Sequence, residues 1–177
     1  PLCKEDVVSP WVMLPFTTEC LAIEVTATTP YIEDFEKYDL QSMFDFCWSE
    51  EHISGENSWM INGVGDDFSS AKAHSGSKYM ALSSRGGANT NKVMRTFTLK
   101  GDTYYKISLF AYQSDPSSVY MNIVEEGENG LNVLTRKDVI NSDYQKYSAE
   151  FYASQSGDYR LGFMGEMLGT LRYLLID

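Results

Sequence analysis

Apolar residues along this chain fall into short runs that alternate with polar ones at a period of two. In residues 105–112, Tyr105, Ile107, Leu109 and Ala111 share one face. In residues 158–163, Tyr159, Leu161 and Phe163 do the same. Successive side chains of a strand point to opposite faces, so this spacing marks strands buried on one side. Runs rich in Val, Ile, Tyr, Phe and Thr, separated by Gly, Asn, Asp and Ser, predict strands over 11–17, 31–36, 46–49, 58–62, 79–83, 92–99, 103–113, 119–125, 131–136, 144–152, 159–164 and 172–176. Helical signal is confined to single turns at 39–45 and 69–73. Residues 125–130 (EEGENG) read as a hairpin tip, because Asn129-Gly130 is a favoured two-residue turn. Many short strands with Gly-containing turns predict an all-β sandwich of two antiparallel sheets.

Composition narrows the function. The 177 residues suit one domain plus a short extension, with enough chain to bury a core without disulfide support. The net charge is −11, and Lys and Arg are scattered singly. A nucleic-acid binder needs a basic stripe, so nucleic acid is excluded as a partner, and an anionic membrane surface is disfavoured. The acidic excess fits an extracellular or calcium-rich setting and serves equally as a solubility device. No stretch approaches the roughly 18 apolar residues of a spanning helix, which argues against membrane insertion. Residues 1–20 carry charges and prolines instead of a signal-peptide apolar run, and the chain reads as a piece of a longer protein.

Catalytic chemistry finds little support. The histidines, His52 and His74, stand in separate loops, and no nucleophile elbow, metalloprotease helix motif or phosphate loop is present. Three cysteines, Cys3, Cys20 and Cys47, are an odd number without paired spacing, which argues against zinc. Cys47 lies in an apolar run beside Trp48 and reads as a small buried hydrophobe. Paired carboxylates of the glycosidase type stay open, since spacing in three dimensions is not visible here. The expectation is a non-enzymatic binding protein.

Three segments carry a family resemblance. They are YIEDFEKYDLQSMFDFCW (31–48), HSGSKYMAL (74–82) and the closing RYLLID (172–177). Together they resemble MAM-like and cleaved-adhesin domains. The resemblance implies that residues 31–177 form a jelly-roll β-sandwich, concanavalin-like or galactose-binding-like. In such jelly rolls the first and last strands lie together near a structural calcium. Carried over, the matching carboxylates are Glu36 and Asp177, with Asp34 and Asp67 as further candidates. Calcium takes six to eight oxygens, which such acids and loop carbonyls supply. The competing reading is a solvated acidic edge that discourages strand pairing. Family members usually show two acids after the last apolar run, and this chain shows one. Residues 1–20 resemble the final hairpin of a fibronectin type III-like domain, through Cys3, Ser9 with Trp11, and Phe16 with Thr18. That hairpin implies a disulfide between Cys3 and Cys20, leaving Cys47 reduced, with 21–30 as linker or lead-in strand.

Aromatic residues make up 14% of the chain. Tyr and Trp combine an apolar face with a polar tip, which suits stacking on sugar rings. Trp11, Trp48, Trp59, Tyr104, Tyr112 and Tyr120 are the candidate platform. Trp48 and Trp59 read first as core, and of the others Tyr104, Tyr112 and Tyr120 are named as the ligand-binding candidates. The expected role is a calcium-stabilised adhesion or ligand-binding module of a secreted or cell-surface bacterial protein. It would be a monomeric module of a longer chain, taking a protein or a glycan. The alternatives are a carbohydrate-binding module and a structural spacer beside a catalytic domain.

Overall fold

The computed structural model describes residues 20–40, 47–63, 73–84, 87–113, 119–139, 143–168 and 173–177. The hairpin at 1–19, Trp11, Cys3 and Asp67 lie outside them, as do residues 41–45 and 69–72 of the helical-turn candidates. Among the described residues every regular element is a strand. The short ones are β1 (Ile23–Glu24), β2 (Ser49–Ser54), β3 (Met60–Gly63), β4 (Lys78–Ser83) and β11 (Tyr173–Ile176). The long ones are β5 (Asn89–Leu99), β6 (Thr103–Gln113), β7 (Val119–Gly127), β8 (Gly130–Asp138), β9 (Gln145–Ala153) and β10 (Gly157–Met167).

These strands form two sheets. A six-stranded sheet has the order β1-β5-β10-β7-β8, with β2 also pairing β5, and a five-stranded sheet has the order β3-β4-β11-β6-β9. Pairing is antiparallel except for β1 with β5. The chain crosses from one sheet to the other after β2, β4, β5, β6, β8, β9 and β10, the connectivity of a jelly-roll sandwich. The core lies between the sheets, where Ile61, Met80, Leu82, Val93, Met121, Leu174 and Ile176 are almost wholly buried. Trp59 is its largest member. It sets its edge against Phe163 at 5.4 Å, and its indole N–H donates to the Asn91 carbonyl at 3.3 Å. Gly165 lets that ring approach the backbone: an added Cβ would stand 2.9 Å from Trp59 Cζ2 and 2.8 Å from Leu174 Cδ2. Trp48 packs against the same cluster, so both tryptophans serve the core.

Besides the strand expected at 46–49, of which only Ser49 lies in a strand among the described residues, three local readings need correction. Residues 31–36 form no strand, and the chain turns at 35–38: Phe35 has φ 59°, and the Tyr38 N–H donates to the Phe35 carbonyl at 3.2 Å. The acids cause this. Asp34 Oδ1 accepts the Glu36 N–H at 3.2 Å, and Glu33 Oε1 accepts that of Phe35 at 3.4 Å, so side chains take donors a ladder would need. Accordingly β11 pairs with β4 and β6, not with this segment. The hairpin turn falls one residue early, with Gly127 opposite Gly130 and Glu128-Asn129 between them.

The third correction is the disulfide. Cys20 is bonded to Cys47, with Cα atoms 5.1 Å apart, so neither the Cys3–Cys20 bridge nor a reduced Cys47 holds. Strand register explains the pairing. Ile23 lies opposite Phe97 in parallel, which places Cys20 near Met94; Ser49 lies opposite Met94 in antiparallel, which places Cys47 near Thr96. Two segments far apart in sequence thus meet along one edge of β5.

Candidate functional site

The outward face of the six-stranded sheet is built in rows by strand register. Because Val93, Met121 and Phe163 point into the core, their neighbours Lys92, Met94, Asn122, Val124 and Met164 point away from it. Across β5, β10, β7 and β8 the rows read Thr90-Glu166-Tyr120-Asp138, Lys92-Met164-Asn122-Arg136, Met94-Gly162-Val124-Val133 and Thr96-Arg160-Glu126-Leu131. β2 adds Glu51 beside Lys92 and Ser49 beside Met94. The centre of this outward face is nonetheless buried, with Met94, Val124 and Asn122 at or below 1% exposure and Lys92 at 6%. Its rim is open: the side chains of Glu51 and Arg136 are 63% and 48% exposed.

Polar groups line this face in fixed positions. Lys92 Nζ contacts Glu126 at 2.6 Å and Glu51 at 2.9 Å. Arg160 pairs with the other oxygen of Glu126 and donates to Ser49 Oγ at 2.5 Å. Arg136 holds Glu166 at 3.0 Å and covers the Tyr120 ring at 3.8 Å. Asn122 Nδ2 donates to Glu166 Oε1 at 2.8 Å and to the Met164 carbonyl at 3.2 Å, while its Oδ1 is buried without a partner. Burial works against the Lys92 charge, but its hydrogen bonds to Glu126 and Glu51 prevail and raise its pKa. The hydrogen bond from Lys92, helped by Arg160, outweighs desolvation and holds the Glu126 carboxyl below its ordinary value. Both stay ionised at neutral pH, so the face presents fixed donors and acceptors flanked by methionine and tyrosine surface.

The carboxylates expected to hold calcium lie elsewhere. Glu36 and Asp177 flank the loop that leads into β4. Glu36 accepts the Ser77 N–H (2.6 Å), the Ser77 hydroxyl (2.8 Å) and the Lys78 N–H (2.7 Å). Asp177 accepts the Ser75 N–H (2.7 Å) and hydroxyl (3.1 Å). The Ser77 N–H and hydroxyl and the Lys78 N–H together lower the Glu36 pKa. Between them Gly76 has φ 61°, and a Cβ there would collide with Glu36 Oε1. Asp34 is turned to the Glu36 N–H. Among the described residues no three His, Cys, Asp or Glu side chains converge. This donor set fits a calcium ion poorly, because both carboxylates already accept N–H and O–H groups.

A cavity of about 510 Å³ opens beside this loop, lined by Tyr31, Trp48, Phe97, Tyr105, Leu161 and Phe163. It is large enough for a small ligand. However, Glu33 in its lining is occupied by the hydroxyls of Tyr31 (2.6 Å) and Tyr38 (2.9 Å), and by Lys37 (3.3 Å). Burial raises the Glu33 pKa, and these bonds more than reverse that. The cavity's lining is mostly apolar, and of its acids Glu33, Asp34 and Asp177 each already accept hydrogen bonds from the protein.

Residues 31–167 match the family of carbohydrate binding domains. The chain belongs to that family. Solved structures agree on the fold. The K1 cleaved adhesin domain of Lys-gingipain from Porphyromonas gingivalis W83 superposes with a TM-score of 0.60 at 12% identity, over 77% of this chain and 90% of that one. TmCBM61 in complex with β-1,4-galactotriose gives 0.54 at 11% identity, over 73% and 83%. The CBM22-1 xylan-binding domain of Paenibacillus barcinonensis Xyn10C gives 0.51 at 14%, over 77% and 86%. Among curated proteins no match is found.

Within this carbohydrate binding domain the three candidate tyrosines do not share a surface. Tyr104 and Tyr112 lie on β6, facing outward from the five-stranded sheet. Tyr104 is exposed beside its cross-strand partner Tyr152, with ring centroids 4.8 Å apart. Tyr112 packs toward Tyr144 at 5.6 Å, within the cluster of Tyr79 and Leu175. Tyr120 stands alone of the three on the opposite sheet, in the charged face described above. Sequence reasoning missed Lys92, Asn122, Glu126, Arg136, Arg160 and Glu166. The available signal was their period-two spacing with core residues, which reads as an ordinary solvated face until register assembles the rows.

Proposed function

We propose that this carbohydrate binding domain takes a neutral glycan chain on the outward face of its six-stranded sheet. The observation that carries the reading is the open rim of this face, where Glu51, Arg136 and Arg160 are fixed by ion pairs beside the Tyr120 ring around a closed centre. Sugar hydroxyls both donate and accept, and this face offers both kinds of group. The positive charges of Lys92, Arg136 and Arg160 stand against Glu51, Glu126 and Glu166. Near-balanced local charge inside a chain of net charge −11 favours a neutral polymer over an acidic one.

The binding is non-catalytic, in keeping with the family. The Cys20–Cys47 bridge supports secretion or a cell-surface position, since disulfides persist in oxidising compartments. Adhesion to a glycan-bearing surface and attachment to a catalytic domain are both compatible roles for a module of this kind. The test is calorimetric titration of the protein against neutral polysaccharides, galactan and xylan among them. Tyr120→Ala and Arg160→Ala should each weaken binding about tenfold or more, as the loss of an aromatic or arginine anchor does. Unchanged affinity in both variants overturns the assignment.

A further inference from the structure

The loop at 74–78 contains its own cation. Lys78 Nζ donates to the Glu36 carbonyl at 2.8 Å and to the Tyr38 carbonyl at 2.5 Å. These are neutral oxygens from the same acidic turn whose carboxylate, Glu36, closes over Ser77 and the Lys78 N–H. A divalent ion joining this turn to β4 would need that set: a carboxylate, backbone carbonyls and a second acid. Here the carbonyls are turned to an ammonium, the first carboxylate accepts three hydrogen bonds, and Asp177 accepts two from Ser75.

We infer that the Lys78 ammonium stands in for a structural metal, so that the junction of residues 33–38, the 74–78 loop and the end of β11 is closed without calcium. The charge balance is local: one ammonium, fixed by two carbonyls, offsets the Glu36 carboxylate. Ser75 and Ser77 extend the clamp to both acids by donating main-chain and hydroxyl hydrogens. Gly76 permits this, because its left-handed backbone and missing Cβ let Glu36 reach the loop.

Thermal melts of the whole chain in chelator and in millimolar calcium, for wild type and for Lys78→Gln and Lys78→Met, test this. Wild type should melt at one temperature in both buffers. Both variants should melt several degrees lower in chelator. Lys78→Gln should recover part of that loss in calcium, since its substitution frees the carbonyls and removes the competing charge. Lys78→Met, which keeps the apolar stem, separates lost packing from lost charge. A calcium-dependent rise in wild-type melting temperature that Glu36→Gln abolishes would overturn the inference, as would wild-type stability of both Lys78 variants. Should either variant fail to fold, calcium titration of wild type and Glu36→Gln decides: binding that requires Glu36 overturns the inference, and binding indifferent to Glu36, or none, supports it.

Discussion

Replacing Cys20 and Cys47 together by serine is the perturbation with the most definite magnitude. The bridge spans 27 residues, from the approach to β1 to the approach to β2. It closes a loop that holds the acidic turn and Tyr31, which packs on Phe97 at 5.3 Å. Loop-closure entropy for a ring of that size is about 3.5 kcal/mol in favour of the native state. For a chain of this length, each kcal/mol moves the melting temperature by about 2–4 °C, so the double variant should melt about 10 °C lower. Calorimetry under non-reducing conditions measures this, and reduced wild type should show a similar loss. A peptide map should find Cys20 linked to Cys47, with Cys3 open to alkylation. A map joining Cys3 to Cys20, or a double variant that melts within about 1 °C of wild type, would refute the register argument.

Further outcomes follow from the core and the clamp. Trp59→Ala should cost about 3–5 kcal/mol in urea unfolding, because it empties the space over Gly165 and Phe163. Gly76→Ala should lower stability by about 1–3 kcal/mol, through the left-handed backbone and the collision with Glu36. Stability should decline on acidification below the ordinary glutamate value of 4.5, since Glu36 and Glu126 have depressed native pKa values. The sign is fixed by linkage: their contribution is full above the unfolded value and lost as pH falls through the folded one. Glu36→Gln should flatten that decline in a pH series of urea melts, and an unaltered slope would remove Glu36 from the account.

Much of the fold was legible because one-sided burial writes a period-two code. β6 was predicted to the residue at Thr103–Gln113, and β5, β7, β8, β9 and β10 differ only at their ends. Legibility failed where local and long-range effects compete. Residues 31–36 are rich in strand-forming aromatics, yet Glu33 and Asp34 capture neighbouring N–H groups and turn the chain. The cysteine pairing depends on two registers along β5 that no local pattern encodes. Glu36 and Asp177, expected as calcium ligands, both accept hydrogen bonds from the 74–78 loop, and the partners that hold them, Ser75, Ser77 and Lys78, carry no signal in the sequence. The candidate face depends wholly on register. Lys92, Asn122, Arg136 and Arg160 are each unremarkable in sequence and become a site only when β5, β10, β7 and β8 align.

The central claim is that the glycan lies on the six-stranded sheet and not on the exposed tyrosines of the five-stranded one. Titration of a neutral polysaccharide into folded wild type, Tyr120→Ala and Tyr104→Ala tests it most directly. The account predicts binding by wild type, a loss of about tenfold or more for Tyr120→Ala, and unchanged affinity for Tyr104→Ala. A loss confined to Tyr104→Ala would contradict it and move the site to the Tyr104–Tyr152 pair, while wild type that binds none of the neutral polymers would contradict the ligand class itself.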